Sequence, residues 1–221
     1  MEPVVVGVDL ASVETRPTGL CLLRGWRAET SLVYGDAELL AEIQRAEPAV
    51  VMVDAPLSLP PGRQTIYDRN GAHLRPCDEE LRRRGVKFFP ITLGPMRRLT
   101  ERGLRIKAAL ESAGLWVFET YPGGAQDVWG IPRKQRGLEG LRAGLEALGV
   151  IGLRAGLSDH ELDAVTAALV GQFYLEGQAE MLGPPEGILL PLPIRSSLPR
   201  AGAWQRPSRR SHHPDRGNLA D

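Results

Sequence analysis

The 221 residues carry 27 basic and 27 acidic side chains, a formal net charge of zero, with 43% hydrophobic and 24% charged residues. That balance fits a globular chain able to enclose one substantial core. No apolar run reaches the ~20 residues needed to cross a bilayer, no basic-then-apolar leader opens the chain, and Cys21 and Cys77 lack metal-binding spacing. Membrane, export, zinc and redox roles therefore lose support, and a cytoplasmic protein with reduced thiols is expected.

Val4 to Leu10 is a continuous apolar run, as in a strand buried on both faces, and it carries Asp9 near its end. Gly19 to Leu23 and Ser31 to Tyr34 are two further strand candidates separated by Arg24-Gly25-Trp26-Arg27, so the opening reads as an antiparallel meander. Asp36 can cap a helix over Ala37 to Ala46, which Pro48 blocks, and Val50 to Val53 forms a fourth strand ending at Asp54. An irregular, arginine-rich insertion runs to about Pro95, with a short helix over Asp78 to Arg84 started by Pro76. A helix over Leu99 to Ala113 follows. Leu115 to Phe118 is a fifth strand delivering Glu119, and Pro122-Gly123-Gly124 is expected to stop it.

Leu138 to Leu148 reads as another helix. Ser158 and Glu161 have capping-box spacing, and Leu162, Val165, Ala168 and Leu169 mark the buried stripe of a helix over Asp159 to Tyr174. Pro184 to Pro191 reads as a short terminal strand or strap. From Arg195 onward six arginines face only Asp215 and Asp221, leaving the preceding body mildly acidic at −4. The expected division is one domain over 1–194 and a basic tail over 195–221, disordered or draped on the surface.

Three strands, a helix, a strand, a helical insertion, a strand and a helix follow the ribonuclease H-like order: an α/β mixed five-stranded sheet flanked by helices, with an insertion between strands 4 and 5. On such a sheet the first and fourth strands are neighbours, so Asp9 and Asp54 can meet. Asp159 and Asp163, four apart on a helix, share a face with ~5–6 Å between β-carbons. Carboxylates left beside apolar strands are costly unless neutralised, and hard oxygen ligands suit divalent cations. Two Mg²⁺ ions ~3.5–4 Å apart would activate a water and stabilise a leaving oxygen in phosphodiester hydrolysis.

Local roles compete with that reading. Asp54 before Ala-Pro can cap a turn, Asp159 can complement a helix dipole, and Asp78 and Arg82 can form a solvated i,i+4 pair. Arg75 or Arg82 could instead grip a phosphate, with Lys134 and Arg136 extending a basic rim. His160 reads as a surface or supporting neighbour of Asp159. The chain has no G-x-x-x-x-G-K-[ST] loop, no G-x-G-x-x-G after the first strand and no G-x-S-x-G elbow.

Together, Gly-Val-Asp-Leu-Ala, Val-Asp-Ala-Pro-Leu, Arg-Pro-Cys-Asp-Glu-Glu-Leu-Arg-Arg-Arg-Gly, Glu-Thr-Tyr-Pro, Asp-His-Glu-Leu-Asp-Ala and the late Glu-Gly-Ile resemble the bacterial and archaeal family catalogued as domain of unknown function 429. Its members are described as predicted nucleases of ribonuclease H-like fold, and the resemblance spans about residues 4–191. It implies Asp9, Asp54, Glu119 and Asp163 as catalytic cleft acids and metal ligands, with Asp159 a further candidate ligand. Arg75, Asp78 and Arg82 fall on its middle motif.

The expected function is a metal-dependent nuclease using Mg²⁺ or Mn²⁺, with Arg75, Arg82 and Lys134 as substrate-binding cations. Its partner would be nucleic acid or a nucleotide, not a membrane, and a homodimer is compatible with it. The mildly acidic body disfavours tight duplex binding. The alternatives are a nucleotide-binding or phosphotransfer protein and a non-catalytic binding module on the same fold.

Overall fold

The structure, a computed structural model, describes residues 2–194; the expected basic tail lies outside them. The strands are β1 (Val4–Asp9), β2 (Thr18–Arg24), β3 (Arg27–Val33), β4 (Val50–Asp54), β5 (Val117–Thr120), β6 (Ala179–Leu182) and β7 (Ile188–Pro191). The helices are α1 (Asp36–Arg45), α2 (Pro76–Arg83), α3 (Gly94–Ser112), α4 (Pro122–Trp129), α5 (Leu138–Ala147) and α6 (Asp159–Leu175). The strands form one sheet in the order β3-β2-β1-β4-β5-β7-β6. β1, β2 and β3 pair antiparallel, β1, β4, β5 and β7 run parallel, and β6 returns antiparallel to β7. This is the expected ribonuclease H-like meander-then-crossover order.

The sheet has seven strands where five were expected. Of the two further strands, β7 falls within the terminal strand or strap expected over Pro184 to Pro191 and β6 was not foreseen; their hairpin extends the parallel edge beside β5. Ala179 to Met181 are only half-buried, so β6 lacks the apolar run that marks a central strand. The other departure is α4. Pro122-Gly123-Gly124 begins a helix instead of ending a strand, because proline at the first helical position loses no hydrogen bond, and Gly130 closes the helix at φ 69°.

Alternation along the strands divides the core. Val4, Val6, Val8, Val51, Val53 and Val117 face one side with residues of α1 and α3; Val5 and Met52 face the other, with α6 and residues of α4 and α5. α6 is buried nearly all round, 12 of its 17 residues being enclosed, so it is a central helix whose burial extends well beyond the stripe of Leu162, Val165, Ala168 and Leu169. Its close seating depends on Gly7. A Cβ there would stand 2.1 Å from the Ala164 carbonyl oxygen and 2.4 Å from the Ala168 nitrogen. Gly19 has the same relation to His160, whose carbonyl oxygen would lie 2.0 Å from an added Cβ. The Gly19 contact brings the first turn of α6 down onto the start of β2, and the Gly7 contact seats its following turns on β1.

Candidate metal centre

Asp9 and Asp54 are register partners at the ends of adjacent parallel strands, so their side chains leave the same face of the sheet. That face is covered by α6, which presents His160 and Asp163. His160 Nδ1 lies 2.7 Å from Asp9 Oδ2, and this hydrogen bond is the leading cause of an imidazole pKa raised above its ordinary value. Asp163 is almost enclosed; its Oδ1 accepts from Gln126 Nε2 at 2.9 Å and its Oδ2 lies 2.7 Å from Lys134 Nζ. Lys134 Nζ is also 3.3 Å from Asp159 Oδ2.

The turn that carries Lys134 is pinned from below. Arg133 makes a two-pronged contact with Asp127 at 2.8 and 2.6 Å, donates to the Tyr121 hydroxyl at 3.1 Å, and stacks 5.5 Å from the Tyr121 ring centroid. Burial pulls the Lys134 ammonium down, but Asp163, Asp9 and Asp159 together outweigh it, and the group ends above its ordinary range. Burial also pushes Asp159 up; Lys134 and His160 overcome that and hold it below the usual carboxylate value. Asp163 is raised, first by burial and then by Asp9, against the opposing pull of Lys134.

Asp54 is the acid without a partner. Among the described residues nothing donates to its carboxylate, and loss of hydration, followed by the charges of Asp9 and Asp163, holds its pKa well above the ordinary value. A carboxyl whose folded pKa is raised binds its proton more tightly when folded. Its contribution is therefore most favourable at low pH and is lost as pH rises through the window from the unfolded to the raised folded pKa. In EDTA, Asp54→Asn is expected to raise the melting temperature at pH 7 and to change it little at pH 4. Differential scanning calorimetry at the two pH values checks this; an equal shift at both would refute it.

Glu119 lies close enough for its charge to add to the raising of Asp54, but its carboxylate does not join these acids. Its register partner is Val53, one residue before Asp54, so its side chain leaves the opposite face, where it lines a small cleft with Ser58, Lys107 and Glu186. There its Oε2 accepts from the Leu57 N–H at 2.7 Å, and Arg75 reaches both of its oxygens at 2.6 and 2.8 Å. The expected phosphate grip by Arg75 is corrected in the same way. Arg75 is 2% exposed and spends its guanidinium donors on Glu119, Asp78 and Ser58. Asp78 accordingly pairs with Arg75 and not with Arg82, which lies exposed on α2.

Among the described residues no group of three or more His, Cys, Asp and Glu side chains is arranged to hold a metal ion as it stands. In this arrangement His160 engages Asp9, and Lys134 with Gln126 engages both oxygens of Asp163. The donor chemistry nevertheless suits Mg²⁺ or Mn²⁺. The acids are oxygen ligands, and Asp54 is a partnerless carboxylate beside two others, a repulsion that a cation relieves. His160, Gln126 and the acid-facing position of Lys134 were not evident from sequence spacing, because the chain folds them in from separate turns.

Fold and centre together define a ribonuclease H-like α/β protein with an acidic cluster at the carboxyl ends of its first two parallel strands. The chain belongs to the family described as "Protein of unknown function (DUF429)", whose model matches residues 7–187. Among solved structures, Thermus thermophilus RuvC in complex with a Holliday junction substrate is similar at 18% identity and a TM-score of 0.45, over 80% of this chain and 96% of that one. A second Thermus thermophilus RuvC structure gives the same identity and score over 79% and 96%. No curated protein matches the chain. Among the described residues no helix is long and apolar enough to cross a membrane.

Proposed function

We propose that the chain is a divalent-cation-dependent nuclease that hydrolyses phosphodiester bonds, with Asp9, Asp54 and Asp163 as its ion-binding acids and Asp159 at their rim. The observation that carries this reading is the level pairing of Asp9 and Asp54 on neighbouring strands beneath Asp163 of α6. When bound, Mg²⁺ or Mn²⁺ supplies a Lewis acid and lowers the pKa of water toward neutrality. The chain's own part is to hold the carboxylates together on a rigid sheet and a buried helix. His160 orients Asp9, and Gln126 orients Asp163 by donating to Oδ1.

Substrate positioning falls to cations other than Arg75. Lys134, on the turn after α4, lies beside the acids, and its charge with that of the exposed Arg136 two residues on suits a phosphate backbone. The mildly acidic body favours a nucleotide or a short, structured nucleic acid over extended duplex. The test is cleavage of labelled single-stranded, duplex, hybrid and branched substrates by the purified full chain in Mg²⁺ or Mn²⁺, with EDTA as control. Metal-dependent cleavage of at least one substrate is expected. No cleavage of any of them would defeat the proposal.

A further inference from the structure

The acids of the centre are unequally free. Asp54 has no partner among the described residues, and Asp9 is engaged through Oδ2 alone. Asp163 has both oxygens occupied, by Gln126 and Lys134, and Lys134 also reaches Asp159. Lys134 is not a loose surface side chain. Its side chain is 31% exposed, and its backbone is fixed by the Arg133 anchorage, by the Arg136 N–H donating to the Arg133 carbonyl at 2.9 Å and by the Gly137 N–H donating to its own carbonyl at 3.1 Å. Gly123 is part of the same seating, since a Cβ there would meet the Arg133 guanidinium at 2.8 Å.

We infer that Lys134 is the built-in second cation of this centre: its ammonium holds the Asp163–Asp159 half, so the site takes one divalent ion per chain, at Asp9 and Asp54, in place of two. The inference rests on the metal-binding reading proposed above. Charge is compatible with it: when ionised, Asp9, Asp54, Asp159 and Asp163 carry four negative charges, of which Lys134 offsets one and a single divalent ion two, so one ion already brings the centre within one unit of neutrality. A second ion would also have to displace an ammonium already at hydrogen-bond distance from Asp163. The ion count expected from the carboxylates alone is thereby halved.

The experiment is isothermal titration of Mn²⁺ into the full-length protein, as wild type, Lys134→Met and Lys134→Arg, with circular dichroism melting to confirm that each variant is folded. One ion per chain is expected for wild type and for Lys134→Arg, which keeps the charge, and two for Lys134→Met, which keeps the stem and removes it. Two ions in wild type would overturn the role of Lys134 while leaving the metal-dependent function standing. One ion in all three proteins would also overturn it, because the ammonium would then be holding no ion's place. No ion in wild type would overturn this inference, and no ion in any of the three would overturn the proposed function as well.

Discussion

Replacing Arg75 by methionine is expected to destabilise the protein by about 3–5 kcal/mol, a fall in melting temperature on the order of 10 °C. Arg75 joins Glu119 on β5 to Asp78 on α2, and all three side chains are nearly inaccessible to water. Removing the guanidinium leaves two carboxylates in a poorly hydrated space, and the large effect comes from that uncompensated charge more than from the ion pairs themselves. The double variant Arg75→Met with Glu119→Gln should therefore lose less than the sum of the two single variants. Thermal melts of the three proteins measure this coupling. A melting temperature for Arg75→Met within a degree or two of wild type would mean that the network does not hold the insertion to the sheet, and would reopen a substrate-binding role for Arg75.

Part of the centre could be read from the sequence and part could not. Asp9 and Asp54 each end a strongly apolar strand, and strand order alone makes those strands neighbours; their level pairing follows. The Ser158–Glu161 capping box fixed where α6 begins, and both reciprocal contacts are present, with the Glu161 N–H donating to Ser158 Oγ at 3.2 Å and the Ser158 N–H to Glu161 Oε2 at 2.9 Å. Asp163 follows from that start. Glu119 has the same local look, an acid ending an apolar strand, but the face it serves depends on a one-residue register difference between β4 and β5 that no local pattern encodes. For Asp78 the sequence offers a solvated pair with Arg82 and for Arg75 a phosphate grip; neither reading contains the buried Arg75–Asp78 pair, because Glu119 joins it from 44 residues away.

Gln126, and the approach of Lys134 to the acids, were obscured for a different reason. Pro122-Gly123-Gly124 carries strong breaker chemistry, yet here it opens α4, and only with α4 in place do Gln126 and the turn at Lys134 come over α6. The two glycines serve packing: a Cβ at Gly124 would meet the Tyr121 ring at 2.9 Å, and one at Gly123 the Arg133 guanidinium. His160 was seen as a neighbour of Asp159, whereas its ring turns to Asp9 across 151 positions of sequence. Each of these side chains has its role through tertiary placement and not through a motif.

Asp9 is the residue on which the functional reading depends most. It is level with Asp54, it is held by His160, and its charge contributes to the raised pKa of both Asp54 and Asp163. Changing it to asparagine preserves shape and removes the charge that a hard cation requires. Loss of even an outer hydrogen-bonding partner of a metal ligand lowers metal affinity or activity by about 10–100-fold, so loss of a ligand should lower it by at least about 100-fold. Stability should not suffer, because Asp9→Asn relieves repulsion among the three acids. The decisive measurement is the Mn²⁺-dependent cleavage rate of wild type and Asp9→Asn, assayed side by side on the best substrate of the panel at equal folded concentration. A fall of about 100-fold or more with an unchanged or higher melting temperature is expected; cleavage by Asp9→Asn at the wild-type rate would contradict an acidic metal centre at the end of β1.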